Sequence, residues 1–507
     1  MHTTADLSFQ RLNRIIFPAL ILMVAVLLGL ISANTPLYSL ALIVALLYGL
    51  CLFIKPMWTY YLLFVVVVNF FGFIPESFMQ VPGAFKLYDV CLLSQFVPLL
   101  IAIASDRNAM ERIKSPSNKV LIFLMFFILF VILYTVYEFE VSFALSTRIP
   151  RKYLLYMSFF LFMHLIKDEK EFRGFLKVFF VLAAIQASLV ILQIIAGPSV
   201  SVMPFLAIPI EYQYLSGMVL PRIYLPGGSP LMFLAFAISF WLYITGERKG
   251  RFVMLVVLLG MGVFCEFYRT KWVRELIVMT VPFILAKNTE RKKLVIIMIS
   301  IVATCVVGII IMHFIGSGIM VKLGNIVEHF HSAYIDFINK SGTFNSRLQT
   351  SSVKLAFFWK RPWLNLGFLH LDAARESSKA AFMAGIRVES TDCEITTLLT
   401  TMGIVGTTVF FAFGIYMLVR CVKVFRKVDS MYFRAILLAI FGHHVAGLAT
   451  FYTYGFLTLQ YNIPFIALAL AMIEKINQIQ DKYDMEKQVV ANTQAKARPN
   501  TQTIVVT

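Results

Sequence analysis

Apolar residues run in long blocks along nearly the whole chain, separated by short polar segments. The blocks fall at 15–32, 37–54, 57–75, 86–104, 119–137, 151–166, 172–196, 229–246, 251–267, 272–286, 293–315, 394–418, 431–450 and 456–473. A helix needs roughly 17 to 25 apolar residues to cross the hydrocarbon core of a bilayer. The pattern therefore predicts an all-α, polytopic transmembrane helix bundle of about 12 to 14 spans. The first block lacks the marks of a cleavable signal and is expected to stay in the protein. Between 315 and 394 no block is long enough to span. The organisation expected is N-terminal transmembrane helices over 1–315, one large loop over 316–393, C-terminal transmembrane helices over 394–474 and a polar, disordered tail over 475–507. Within the large loop, apolar and basic residues interleave around Asn345–Lys360, which predicts a surface helix.

Composition agrees with lipid as the solvent. Of the 507 residues, 59% are hydrophobic and 14% charged, with a mean hydropathy of +0.80. A net charge of +18 would suggest nucleic acid in a soluble protein. Here no basic stripe with interleaved aromatics stands clear of the spans, so no nucleic-acid partner is expected. Basic residues instead follow the positive-inside rule. Alternate connections hold Arg107, Arg112 and Lys114; Lys167, Lys170 and Arg173; Arg248, Lys249 and Arg251; Lys287, Arg291, Lys292 and Lys293; and Lys423, Arg426 and Lys427. That alternation places both termini in the cytoplasm and the large loop outside. The 6 cysteines form no CxxC pair, which supports neither a disulfide framework nor a zinc site.

Cations on the outer side go against this rule and are the informative ones. Arg148, Arg151 and Lys152 open one span. Arg222 lies before another. Arg269, Lys271 and Arg274 occupy a short break between two apolar runs, with Glu266 and Glu275 near enough to neutralise Arg269 and Arg274. Arg347, Arg375 and Arg387 lie in the large loop. Arg151, Lys152 and Lys271 fit interfacial anchors whose heads reach the lipid headgroups. Arg269 and Arg274 sit where a charge is costly unless it is paired or faces a wet cavity. Guanidinium groups bind phosphate oxygens in a bidentate way, so an outer arginine set suits a lipid-linked diphosphate and needs neither metal nor cofactor.

Four segments carry a resemblance. Arg347 leads the predicted surface helix, which runs to Pro362 and the turn Trp363-Leu364-Asn365-Leu366-Gly367. Asp392 and Cys393 precede the helix that reaches Gly403-Ile404-Val405-Gly406. Upstream stand Arg222-Ile223-Tyr224-Leu225-Pro226-Gly227-Gly228-Ser229 and Tyr268-Arg269-Thr270-Lys271-Trp272. In order and sidedness these segments resemble the O-antigen ligase and O-antigen polymerase family of bacterial membrane glycosyltransferases. The resemblance covers about 200 to 420. Asn365 stands in place of the first glycine of that family's turn, and Asp392-Cys393 in place of its His-Asn pair, which favours polymerase over ligase.

The resemblance implies a multi-pass enzyme of the bacterial cell inner membrane with a large helical periplasmic loop. It would polymerise undecaprenyl-diphosphate-linked oligosaccharide repeats in O-antigen or exopolysaccharide biosynthesis. The alternatives are transfer of glycan to lipid A-core and, from another class, a lipid-linked oligosaccharide flippase. Asp392 would deprotonate or orient the acceptor hydroxyl; its place just before an apolar run also fits a helix N-cap, and the two roles are not exclusive. Arg347 and Arg269 would stabilise the leaving diphosphate, with Arg222, Arg274, Arg387 and His370 as further substrate-binding residues. Implied partners are the lipid-linked glycan, membrane lipids and a chain-length regulator. Glu389 and Glu394 are rival carboxylates to Asp392. Glu138 and Glu140 are expected to pair with Arg148. His443 and His444 fit packed, neutral histidines or a wet path, and His329 with His331 lacks a third metal ligand.

Overall fold

A computed structural model of the chain describes residues 36–75, 79–81, 85–197, 200–204, 211–215, 218–223, 225, 227–246, 249–266, 268–300, 338–339, 342–370, 372–383, 394–451 and 455–497. Among the described residues the protein is 83% helical. Among the described residues, 6 helices are long and apolar enough to cross a membrane: Leu87–Ser105, Pro116–Phe139, Glu169–Ala196, Gly228–Thr245, Glu394–Lys427 and Met431–Ala449. Pro36–Ile54, Pro56–Val67 and Lys249–Phe264 add further apolar helices.

Local chemistry starts and stops these helices where the blocks are punctuated. Pro56 and Pro116 occupy first-turn positions, where their missing N–H costs nothing. Asp106 and Asp168 cap their helices by accepting the amides of Asn108 and Glu171, at 2.9 and 2.8 Å. At 57–75 the expected span is cut short. The helix ends at Val67, and Asn69, Phe70, Phe71 and Gly72 all take positive φ, which no helix continues through. The 151–166 block begins as a 3₁₀ helix, Pro150–Met157, and becomes α-helical only over Ser158–Leu165. The surface helix is present as Gly342–Lys360. Two small antiparallel hairpins depart from a purely helical picture: Gln80–Val81 with Phe85–Lys86, and Glu211–Leu215 with Met218–Arg222. The polar stretch after Lys475, expected to be disordered, is helical to Ala497 as the continuation of a helix from Ile463.

The Gly228–Thr245 helix is the centre of the bundle, with 94% of its apolar window buried. It packs against Glu169–Ala196, Lys249–Phe264 and Met431–Ala449. Trp241 fixes it laterally by donating Nε1–H to the Val278 carbonyl at 3.0 Å. Residues 463–473 of the last helix are buried as well. A buried ion pair joins that helix to its neighbours. Arg420 donates to both Glu474 oxygens at 2.8 Å, and Ser117 and Tyr416 complete the network.

The basic connections collect at one end of the bundle. There the last helix touches three of them: Gln478 donates to the Arg112 and Lys114 carbonyls, Tyr483 to Glu169, and Asp481 pairs with Lys427, while Lys475 donates to the Met163 carbonyl. The chain segments that carry the resemblance lie at other helix ends.

Candidate functional site

The turn after Pro362 docks onto a break in the Glu394–Lys427 helix. At Gly403 the backbone takes φ 63° and ψ −160°, a conformation open essentially only to glycine. The break turns the following amides outward. Ile404 N–H donates to the Pro362 carbonyl at 2.8 Å and Val405 N–H to Trp363 at 3.3 Å. A Cβ on Gly403 would lie 2.1 Å from the Trp363 oxygen. In return Leu366 N–H donates to Thr400 O at 3.2 Å, and Asn365 Nδ2 to Leu399 O at 3.1 Å. Asn365, the departure from the family's turn, thus bonds the helix on which the turn sits.

The far side of the turn seals against the Pro116–Phe139 helix. Gly367 has φ 61°, and a Cβ there would lie 2.0 Å from Thr135 Oγ1. Thr135 Oγ1 accepts Phe368 N–H at 2.9 Å, and Tyr134 donates to the Asn365 carbonyl at 3.0 Å. Exposed ion pairs continue the seam: Arg361 with Glu138 at 2.5 Å, Arg148 with Asp372 at 2.8 Å and Lys379 with Glu140 at 2.8 Å. Glu138 and Glu140 therefore pair with the loop and not with Arg148. The Glu140 carboxylate pushes the Lys379 ammonium up from its ordinary value. His370 is half-buried beside this seam, with Nδ1 accepting Asp372 N–H at 3.2 Å.

The break between Lys249–Phe264 and Arg269–Thr280 is held by Trp272, which stacks on Phe264 and donates to its carbonyl at 3.0 Å. Lys271, expected at the lipid interface, is instead 5% exposed and ion-paired with fully buried Glu266. Ser229 bridges them, donating to Glu266 at 2.6 Å and accepting from Lys271 at 2.8 Å. A lone buried ammonium or carboxylate would be strongly unfavourable, so each requires the other. Glu266, expected as a counter-charge for Arg269 and Arg274, is thus the partner of Lys271. Through Ser229 the same contact joins this break to the start of the Gly228–Thr245 helix, to which the Arg222 hairpin leads. Arg151, also expected as an anchor, lies 3.9 Å from buried Asp89.

Arg274 is buried across the faces of Phe233 and Phe456, at 4.5 and 5.6 Å from their ring centroids. Phe456 is itself fixed by Glu394. One Glu394 oxygen accepts Phe456 N–H at 2.7 Å and the other accepts Thr458 N–H at 2.5 Å. A carboxylate committed to two backbone amides in a fully buried setting is a structural group, so Glu394 serves the fold as an anchor. His443 and His444 pack edge-on to Phe456, and His444 Nδ1 reaches the Ile440 carbonyl at 2.9 Å. That bond stays within the Met431–Ala449 helix, and because a carbonyl only accepts, His444 carries its proton on Nδ1.

The four resembling segments thus meet in pairs, and Arg274, Phe456 and Glu394 run from one pair to the other. The backbones of Arg222, Arg269 and Arg347 belong to the second hairpin, the start of Arg269–Thr280 and the Gly342–Lys360 helix; their side chains lie outside the description. Asp392, Arg387 and Glu389, like His329 and His331, lie outside the described residues. Among those described, no group of three or more His, Cys, Asp or Glu is arranged to hold a metal. Thr135 and Tyr134 were missed by sequence reasoning, since a hydroxyl in an apolar block carries no distinguishing pattern.

A groove of about 630 Å³ opens beside the seam, between Pro116–Phe139 and the 143–160 segment. Phe126, Leu129 and Phe143 give it apolar walls, and Arg148 and Arg151 are among its lining. No protein-family model matches this chain, and a search of curated proteins finds no match.

Proposed function

We propose that this protein is a multi-pass glycosyltransferase of the bacterial inner membrane. It polymerises undecaprenyl-diphosphate-linked oligosaccharide repeats at the periplasmic face, with both termini in the cytoplasm. An acceptor sugar hydroxyl attacks the anomeric carbon of the donor. The bond from that carbon to the diphosphate oxygen breaks, Asp392 takes the hydroxyl proton, and undecaprenyl diphosphate leaves. Arg269 and Arg347 stabilise the charge gathering on the diphosphate. Arg222, Arg274, Arg387 and His370 bind substrate. No metal is invoked.

The observation that carries this reading is the pairwise meeting of segments far apart in sequence, above all the turn 362–367 seated on the Gly403 break. The apolar walls of the groove suit a polyprenyl chain. The test is polymer formation from lipid-linked repeats by membranes carrying Arg347→Ala or Arg269→Ala. Both variants should insert normally and make no polymer. Full-length polymer from both would sink the assignment of these arginines. The deletion strain separates the alternatives. A single repeat on lipid A-core marks a lost polymerase, accumulated long lipid-linked chains a lost ligase, and repeats trapped on the cytoplasmic side a lost flippase.

A further inference from the structure

A second cavity, of about 780 Å³, lies at the basic end of the bundle, where Glu169–Ala196, Lys249–Phe264, Met431–Ala449 and the last helix come together. Lys170, Arg173 and Lys177 line it from one helix and Arg251 from the next. Spacings of three and four residues put the first set on a single helical face. The acidic residues in the lining are already engaged. Asp168 caps its helix by accepting Glu171 N–H. Glu169 accepts Arg173 Nε–H at 2.6 Å and the Tyr483 hydroxyl at 2.7 Å, and that bond pushes the Tyr483 phenol up to about 12. Arg173 also lies over the Tyr432 ring, 3.6 Å from its centroid. Lys170, Lys177 and Arg251 are exposed, and no ion pair among the described residues engages them. Past this cationic rim the walls turn apolar, with Phe180, Val181, Phe252 and Leu255. At about 1.5 Å per residue, Lys170 and Val181 are separated by roughly 16 Å along the helix. The rim would suit any phosphate, whereas the apolar wall suits only a ligand that also carries hydrocarbon.

We propose that this cavity binds an anionic glycerophospholipid, its phosphate held by Lys170, Lys177 and Arg251 and its acyl chains laid along Phe180, Val181, Phe252 and Leu255. The chemistry is that of a basic pocket between membrane helices, where the surface field and the apolar wall act on one molecule. The proposal requires the helices to sit in lipid and is independent of the transferase reading.

The test uses the full chain in nanodiscs of phosphatidylcholine with increasing phosphatidylglycerol. Native mass spectrometry counts retained lipid, and thermal unfolding reports stabilisation. The expected result is preferential retention of phosphatidylglycerol with a rise in Tm. Joint substitution K170Q/K177Q/R251Q should weaken it on the order of 100-fold. The control K292Q/K423Q/R426Q removes the same charge elsewhere and should leave binding within about threefold of the parent. Inorganic phosphate alone should neither stabilise the protein nor displace the lipid. An unchanged lipid preference in the pocket variant overturns the proposal. So does an equal loss in the control, or displacement by inorganic phosphate, which would mark a soluble-anion site. Should the triple variant fail to fold, Arg251→Gln alone keeps the test, with an expected loss of about fivefold.

Discussion

Replacing Gly403 with alanine tests the docking of the loop on the broken helix. The substitution forces a side chain into a positive-φ backbone, which costs about 1–3 kcal/mol. It also sets a Cβ 2.1 Å from the Trp363 oxygen and 2.6 Å from the Pro362 oxygen. Those atoms are backbone, so the strand of loop must move away as a unit. Movement breaks the bonds from Ile404 N–H to Pro362 and from Val405 N–H to Trp363, at about 1 kcal/mol each. The seam should lose roughly 3–5 kcal/mol of local stability. Hydrogen exchange followed by mass spectrometry in nanodiscs reads this directly. Amides of Ile404, Val405 and Leu366 should exchange faster by on the order of 100-fold or more, while residues 463–473 stay protected. Gly174→Ala is the control, because that glycine has ordinary helical φ and nothing within 4 Å of an added Cβ. It should be neutral or gain up to about 1 kcal/mol. Unchanged exchange at Ile404 and Leu366 in Gly403→Ala would refute the docking.

Glu394→Ala leaves the buried amides of Phe456 and Thr458 without acceptors and should reduce the monodisperse fraction after detergent extraction, at a cost of about 2–6 kcal/mol; Glu394→Gln, which keeps one carbonyl acceptor, should fall between. Lys271→Met alone strands the Glu266 carboxylate and should cost about 3–5 kcal/mol, whereas K271M/E266Q should recover most of it, as measured by thermal unfolding of both variants. Exchanging the exposed pair as R361E/E138R should change Tm little, since such pairs contribute about 0–1 kcal/mol. Either single reversal should open the seam to protease more than the double exchange does, and equal susceptibility in all three would show the pair is not formed.

Several features were legible in residue order because they depend on neighbours along the chain. Pro56 and Pro116 at helix starts and Asp106 and Asp168 at caps follow local rules. The helix Gly342–Lys360 follows from its own pattern. Gly403 and Gly367 stood out as members of short segments, but their reason lay in other chain segments: the Trp363 carbonyl for one and Thr135 for the other. The tail after Lys475 misled for the opposite reason. Its composition is polar, yet it continues a buried helix, and Tyr483, Asp481 and Lys487 give it partners in Glu169, Lys427 and Asp429.

The sequence by itself determined that lipid is the expected solvent and roughly where the described helices begin and end. Those properties follow from hydropathy and from local hydrogen bonding, which neighbours in the chain decide. Only the tertiary structure decided which ions are partnered. Lys271 belongs to Glu266 and not to the interface, Glu138 to Arg361 and not to Arg148, and Glu394 to the amides of Phe456 and Thr458. The buried members, Lys271 with Glu266 and Glu394 with its two amides, need those partners in contact, because a lone buried charge is strongly unfavourable. That contact is set by how distant helices pack, which no local pattern records.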